Sequence, residues 1–244
     1  MNKVRWLCLP YAGASASVYM RWKRHLPANV ELVPLELAAR GTRFGESPYG
    51  SVEEAVLDID RIIKPWLEDE VPCLLFGHSM GAVLAFEWLV SAFAAGTRVP
   101  DTVILSGRPA PQYIEAEDPI CNLPDDQFII KVAEYGAVEA EVLQQEEIKQ
   151  MFLPILRADF TILDDFDSRP VRSAVQLPIS AHVWHGSNED MKGGPDGWSA
   201  WFTQPAQIRE FAGGHFFIHE EEQAVISALL ECEPFKGRPY EVSL

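Results

Sequence analysis

The stretch that most restricts the fold of this chain covers residues 73–85, where a short apolar segment precedes the pentapeptide Gly-His-Ser-Met-Gly. Residues 73–76 are all apolar and predict a buried strand, and residues 80–90, apolar apart from Glu87, predict a helix covered on most sides. Ser79 between them fits G-x-S-x-G, a sharp strand-to-helix turn that exposes a serine hydroxyl above a sheet edge. We therefore predict that Ser79 is a nucleophile rather than a chance serine in a glycine-rich turn.

The remaining chain alternates between short apolar segments and helical periodicity. Strands are predicted at residues 4–9, 30–37, 102–106, 179–184 and 207–211, and Ser51 with Glu54 forms a capping-box pattern at the start of a helix. Such alternation predicts a mostly parallel, doubly wound α/β sheet. A length of 244 residues is ordinary for one α/β domain, so residues 1–244 are predicted to form a single domain.

The alternation breaks between residues 109 and 177, where apolar residues follow helical spacing and no strand intervenes. We predict that this insertion is a helical lid over the site and that its inner face forms a chamber for an apolar substrate. The alternative is that the same side chains only pack in the core. The residues predicted to contact substrate are Phe128, Val132, Met151 and Phe152.

A serine hydroxyl needs a nearby base and a group that orients this base. In the α/β-hydrolase arrangement the order along the chain is serine, acid, histidine, and His215 fits because it follows the last predicted strand on a Gly-Gly loop. Asp190, in the loop after the preceding strand, is the predicted acid. Its neighbours Glu189 and Asp196 remain alternatives.

Two backbone amides are predicted to stabilise the oxyanion that forms during acyl transfer. Met80 supplies one at the start of the helix after Ser79, and Ala12 supplies the other from the small-residue loop after the first strand, with Gly13 as the alternative. His215 and His219 have the spacing of a zinc pair, but the H-E-x-x-H glutamate and a third ligand are missing. No metal and no cofactor are therefore predicted.

The composition restricts the classes of binding partner and the cellular compartment that we expect. The net charge of −16 argues against nucleic acid, which requires clustered Lys and Arg. No segment has the length of a membrane span, and no signal-peptide pattern opens the chain, so we expect a cytoplasmic protein without membrane contact. The four cysteines are widely spaced and are predicted to be free thiols.

Several motifs together resemble the type II thioesterases that accompany nonribosomal peptide and polyketide synthases. They are residues 9–13 (Leu-Pro-Tyr-Ala-Gly), 77–81, 106–111 (Ser-Gly-Arg-Pro-Ala-Pro), 123–128 (Leu-Pro-Asp-Asp-Gln-Phe), 153–159 (Leu-Pro-Ile-Leu-Arg-Ala-Asp) and 213–217 (Gly-Gly-His-Phe-Phe). The chain departs from the family at residues 38–41, which are Ala-Ala-Arg-Gly where many members have Pro-Gly-Arg-Gly.

The resemblance implies an α/β-hydrolase fold and a Ser-His-Asp enzyme that removes stalled or misloaded acyl groups from the phosphopantetheine arm of carrier proteins. Two alternatives use the same triad: a thioesterase that releases medium or long fatty acyl chains from acyl carrier protein, and a general carboxylesterase. A catalytically silent carrier-binding module is a third. Because carriers and this chain are both acidic, a local basic rim for docking is predicted from Arg40, Arg43, Arg108 and Arg157.

Overall fold

Six parallel strands form the centre of the protein in the computed structural model, which describes residues 3–114, 118–136, 145–170 and 175–232. Their order across the sheet is β2-β1-β3-β4-β5-β6, and each neighbouring pair is parallel. This confirms the predicted parallel α/β sheet. The strands are β1 (Val4–Leu9), β2 (Val30–Pro34), β3 (Cys73–His78), β4 (Thr102–Ser106), β5 (Ser180–Gly186) and β6 (Gln207–Phe211).

The register of the sheet brings the carboxyl ends of the central strands together. Leu9 pairs with Gly77, His78 pairs with Ser106, and Gly186 pairs with Phe211. The loops that follow β1, β3, β4, β5 and β6 therefore open on the same edge of the sheet. In parallel α/β sheets this edge is where ligands bind.

Helices cover both faces of the sheet. They are α1 (Val52–Leu67), α2 (Met80–Ala94), α3 (Asp125–Glu134), α4 (Glu146–Asp167), α5 (Phe217–Glu220) and α6 (Glu222–Glu231). The Ser51 side chain accepts a hydrogen bond from the Glu54 amide at 3.3 Å, so the predicted helix start is confirmed. The sequence analysis did not anticipate the 3₁₀ helix Ala16–His25, which buries Tyr19 and Trp22.

The alternation of side chains along the strands divides the core into two layers. In β1, Leu7 and Leu9 belong to the layer under α1, α2 and α4, whereas Trp6 and Cys8 face the layer under the 3₁₀ helix and α6. Burial on both faces explains why the central strands are continuous apolar runs. All four cysteines are free, as predicted.

The insertion between β4 and β5 contains α3 and α4 without a strand between them in its described parts. Residues Val142 and Leu143, predicted to be helical, lie outside the described residues. The second half of α4 is part of the main core, since Phe160, Leu163 and Phe166 are buried there. A single domain with its lid at residues 109–177 remains our interpretation of this arrangement. Among the described residues, no helix is long and apolar enough to cross a membrane.

A buried histidine in β5 makes the stability of this fold depend on pH. His182 is 7% exposed, its Nδ1 atom lies 3.7 Å from Sγ of Cys232, and burial lowers its pKa to about 4. The unfolded chain therefore binds a proton between about pH 6.5 and pH 4 that the folded chain does not bind. The stability that neutral His182 contributes at neutral pH is lost as the pH falls through this window.

We expect that the free energy of unfolding of the wild type falls by about 3 kcal/mol more between pH 6.5 and pH 4 than that of His182→Gln, because each unit of pKa shift is worth about 1.4 kcal/mol. Denaturant unfolding at a series of pH values measures both slopes. Equal slopes for the two proteins would show that His182 is not the group responsible.

Candidate active site

Ser79 occupies the turn between β3 and α2 in a backbone conformation that few residues other than glycine adopt. Its φ is 54° and its ψ is −117°, and its amide donates to the carbonyl oxygen of Ser106 at 2.7 Å. Residues held in such sparsely populated conformations cluster at functional sites. The predicted strand, turn and helix around Ser79 are confirmed by β3 and α2.

The glycines on either side of Ser79 allow backbone contacts that a side chain would prevent. A Cβ atom on Gly77 would lie 2.1 Å from the carbonyl oxygen of Gly81, and one on Gly81 would lie 2.3 Å from the carbonyl oxygen of Leu9. The start of α2 thus packs directly against β3 and against the end of β1. This contact places the Met80 amide beside the loop that carries Ala12.

His215 lies next to the serine turn, in the loop between β6 and α5. A Cβ atom on Gly107 would be 3.3 Å from Cε1 of His215, and Gly107 directly follows Ser106, whose carbonyl binds the Ser79 amide. The loops after β3, β4 and β6 therefore meet at one point. The imidazole is 16% exposed.

The carboxylate that contacts His215 belongs to Glu189, and the expectation of Asp190 is wrong. Oε1 of Glu189 lies 2.5 Å from Nδ1 of His215, and Oε2 accepts the Gly186 amide at 3.2 Å. The reason is a turn after β5, in which the Glu189 amide donates to the Gly186 carbonyl. This turn directs residue 189 toward the sheet edge, whereas Asp190 and the other alternative, Asp196, are exposed.

A second histidine, His78, packs against the ring of His215. His78 is fully buried, its Nδ1 lies 2.9 Å from Oγ of Ser106, and its ring centroid is 4.9 Å from that of His215. Burial, with a further contribution from His215, holds the pKa of His78 well below its ordinary value. His78 therefore packs as a neutral ring beside His215.

The two candidate oxyanion amides lie on neighbouring elements. Met80 is the first residue of α2, so its amide is among those that have no acceptor within the helix. Gly13, the alternative to Ala12, donates its amide to Oδ2 of Asp159 at 2.6 Å and is therefore engaged elsewhere. Ala12 remains our prediction for the second donor.

One polar pair beside the site was missed by the sequence analysis. The hydroxyl of Tyr11 lies 2.9 Å from Nε2 of His219, and both rings pack against Phe216, the residue after His215. Burial raises the pKa of Tyr11 and lowers that of His219. The pair connects the loop after β1 with α5. Its only sequence signal was an aromatic residue next to Ala12.

The thioesterase domain family model matches residues 5–231. The chain belongs to this family. It is 29% identical over 224 residues to the gramicidin S biosynthesis protein GrsT of Aneurinibacillus migulanus, an alignment that covers 92% of this chain and 86% of GrsT. The protein is therefore an enzyme that hydrolyses thioesters, and the family resemblance found in the sequence is confirmed.

Two solved structures are similar to this chain over most of its length. The crystal structure of ClbQ from the colibactin NRPS/PKS pathway aligns with a TM-score of 0.84 at 27% identity, covering 94% of this chain and 96% of ClbQ. The type II thioesterase BorB from the borrelidin biosynthetic cluster aligns with a TM-score of 0.80 at 26% identity, covering 94% and 92%. The α/β-hydrolase assignment is confirmed by these neighbours.

A cavity of about 620 Å³ adjoins His215 and Glu189 in this thioesterase. The insertion contributes Tyr135, Phe160 and Leu163 to its wall. None of the four predicted substrate residues lines the cavity, so that prediction is not supported by the described residues. Phe128 and Val132 are buried in the core, and Met151 and Phe152 are 52% and 40% exposed.

The position of these residues along α4 explains the difference for Met151 and Phe152. Spacing alone identifies the apolar face of α4 but not which turn of the helix reaches the sheet edge. Phe160 and Leu163, three residues apart in the second half of α4, face the cavity. Met151 and Phe152 lie about two turns nearer the start of the helix, beyond the part that covers the site.

The four arginines expected to form a basic rim are paired with carboxylates instead. Arg40 is 3% exposed and makes a bidentate ion pair with Asp159, so its prediction as a docking residue is wrong. The pairs of the other three are Arg43 with Glu46 and Asp58, Arg108 with Asp167, and Arg157 with Asp125. An arginine on a loop was read as exposed because the sequence does not show its partner.

We expect Gly77→Ala to lower the stability of the fold by several kcal/mol or to prevent folding, because its methyl group would overlap the Gly81 backbone. Thermal and denaturant unfolding measure the change. The control is Gly45→Ala, since a Cβ atom there has nothing within 4 Å and φ is not positive. Similar stabilities of the two variants would contradict the described turn.

The contact between Glu189 and His215 yields a second prediction. Glu189→Gln removes the charge next to Nδ1 and is expected to lower kcat by about two to four orders of magnitude, whereas Asp190→Asn changes kcat by less than about threefold. Steady-state hydrolysis of an acyl-coenzyme A thioester, with unfolding curves for both variants, makes the comparison. The reverse ranking would restore Asp190 as the acid.

Proposed function

We propose that this chain is a type II editing thioesterase, which removes stalled or misloaded acyl groups from the phosphopantetheine arm of carrier proteins in nonribosomal peptide or polyketide synthesis. The observation that carries the proposal is the Glu189–His215 pair at 2.5 Å, located beside the strained turn of Ser79. The similarity to GrsT and to BorB, named for a gramicidin and a borrelidin pathway, supports the pathway class.

In the proposed reaction these groups have the following roles. Oγ of Ser79 attacks the thioester carbonyl carbon while Nε2 of His215 takes its proton, and Glu189 stabilises the imidazolium through Nδ1. The amides of Met80 and Ala12 bind the oxyanion of the tetrahedral intermediate, and each such donor is worth about 3 kcal/mol of barrier. Collapse of the intermediate breaks the C–S bond, and His215 returns the proton to the departing thiolate.

Water then completes the cycle. It attacks the acyl-serine carbonyl and gives its proton to His215. The second tetrahedral intermediate then collapses with cleavage of the C–Oγ bond, His215 returns the proton to Oγ of Ser79, and the carboxylic acid is released. Every proton in both halves passes through one imidazole. Among the described residues no group of three or more His, Cys, Asp or Glu side chains could hold a metal ion.

The cavity favours editing over release of long fatty chains. Its wall combines the apolar residues Phe160 and Leu163 with the carboxylates Asp118, Asp164 and Asp190. Carboxylates along the wall disfavour a long alkyl chain, because placing apolar groups beside them leaves the charges poorly solvated. We therefore propose short acyl and aminoacyl groups as substrates.

The function is tested with a panel of acetyl, aminoacyl and palmitoyl groups, each presented on a carrier protein, on coenzyme A and as a simple oxyester. We expect the highest kcat/KM for short groups on the carrier, slow oxyester hydrolysis, and loss of at least about a thousandfold in kcat for Ser79→Ala in every case. A preference for palmitoyl would favour a fatty acyl thioesterase, and efficient oxyester hydrolysis would favour a carboxylesterase. Full activity of Ser79→Ala would refute the covalent mechanism.

A further inference from the structure

A buried acidic residue of the insertion reaches the loop that carries the candidate oxyanion donor. Asp159 in α4 is 1% exposed. Its Oδ2 accepts the Gly13 amide and Nη1 of Arg40, both at 2.6 Å, and its Oδ1 accepts Nη2 of Arg40 at 2.6 Å. One carboxylate therefore joins the loops after β1 and β2 to the insertion.

The loop held by Asp159 is a tight turn with Ala12 in its second position. The Ala14 amide donates to the Tyr11 carbonyl at 3.1 Å, and Gly13 in the third position has a φ of 77°. A positive φ at this position is the mark of a type II turn. In a type I turn the central peptide group is rotated by about 180° and the Gly13 N–H points away. The bond to Asp159 therefore selects the type II turn. The Ala12 N–H belongs to the preceding peptide group, so its place depends on where the whole turn is held and not on this rotation.

A second contact from the same helix face reinforces this choice. A Cβ atom on Gly13 would lie 2.6 Å from Cδ2 of Leu156, so the Leu156 side chain packs directly on the backbone of the turn. Leu156 and Asp159 are three residues apart and lie on the same face of α4. The insertion thus contacts the turn by packing and by a hydrogen bond at the same residue.

Arg40 keeps Asp159 in place. Burial opposes the charge of Arg40, but the bonds to Asp159 outweigh it and raise its pKa above the ordinary value. The guanidinium also donates to the carbonyl oxygens of Ala38 at 3.2 Å and Ala14 at 3.3 Å. A carboxylate paired in this way is a stronger acceptor for a backbone amide than a neutral group.

We propose that Asp159 is a positioning residue for the oxyanion hole, which holds the turn of residues 11–14 so that the Ala12 amide faces the carbonyl oxygen of the substrate thioester. The inference rests on the proposed function and assigns to the insertion a role in the chemical step besides covering the cavity. A donor must be placed before the reaction begins to stabilise a developing charge. Asp159 itself touches no reacting atom.

The test compares three variants in hydrolysis of an acyl-coenzyme A thioester. Asp159→Asn replaces one acceptor oxygen by an NH₂ group and is expected to lower kcat by about tenfold or more with KM within about twofold, because the loss falls on the transition state. Arg40→Lys keeps a positive charge beside Asp159 but loses the bidentate geometry, and it is expected to lower kcat by a smaller factor than Asp159→Asn. The control is Asp69→Asn, which removes the charge of one of the two carboxylates that pair with buried Arg5 near the amino ends of the strands.

A trifluoromethyl ketone analogue of the substrate separates positioning from general destabilisation. This inhibitor forms a tetrahedral adduct, so its Ki is expected to rise in Asp159→Asn by the same factor as kcat falls and to stay unchanged in Asp69→Asn. If Asp159→Asn does not fold, Gly13 is replaced by glycolic acid. The resulting backbone ester has no N–H to donate to Asp159, and the same changes in kcat and Ki are expected.

An unchanged Ki, or equal losses of kcat in Asp159→Asn and Asp69→Asn, would overturn the proposal. This outcome differs from failure of the proposed function itself. If the ketone does not inhibit the wild type and Ser79→Ala stays active, the covalent mechanism is wrong. If the ketone inhibits the wild type and Ser79→Ala is inactive, but kcat and Ki of Asp159→Asn match those of the wild type, only the positioning role is refuted.

Discussion

The arrangement of the site depends on the close backbone contact between the start of α2 and the strands β1 and β3. A Cβ atom on Gly77 or Gly81 would overlap backbone atoms at 2.1 or 2.3 Å, so no side chain fits there. Without this contact Ser79 could not be held at its strained φ and ψ. The same contact brings the start of α2, with the Met80 amide, against the end of β1, and one local constraint therefore holds both Ser79 and one of the two proposed oxyanion donors.

The pair of His215 and Glu189 depends on a second close approach, between the loops after β5 and β6. A Cβ atom on Gly186 would lie 2.3 Å from the carbonyl oxygen of Gly214, and the Asn188 amide donates to the Gly213 carbonyl at 2.9 Å. The two loops thus run side by side and bring residue 189 to the imidazole. A shift of one residue along the loop directs the side chain to solvent, which is where Asp190 lies.

Buried charge has a structural role in a protein of net charge −16. Arg40 and Asp159 satisfy each other and also bind the backbone of two loops, which offsets the cost of removing both charges from water. Arg40 follows Ala39, whose φ of 67° is one that glycine adopts readily and alanine does not. The loop therefore keeps a glycine-like conformation at a position where many members of the family have glycine.

The sequence alone determined the parallel sheet, the Ser79 turn, the order of serine and histidine and the family. These features follow from local patterns: apolar runs, glycine spacing and short motifs restrict the backbone wherever they occur. Only the tertiary structure showed that Glu189 rather than Asp190 contacts His215, that Arg40 is buried, and that Phe160 rather than Phe152 lies beside the cavity. Each of these depends on the direction of one side chain relative to an element distant in sequence, and that direction is set by packing, which no local pattern encodes.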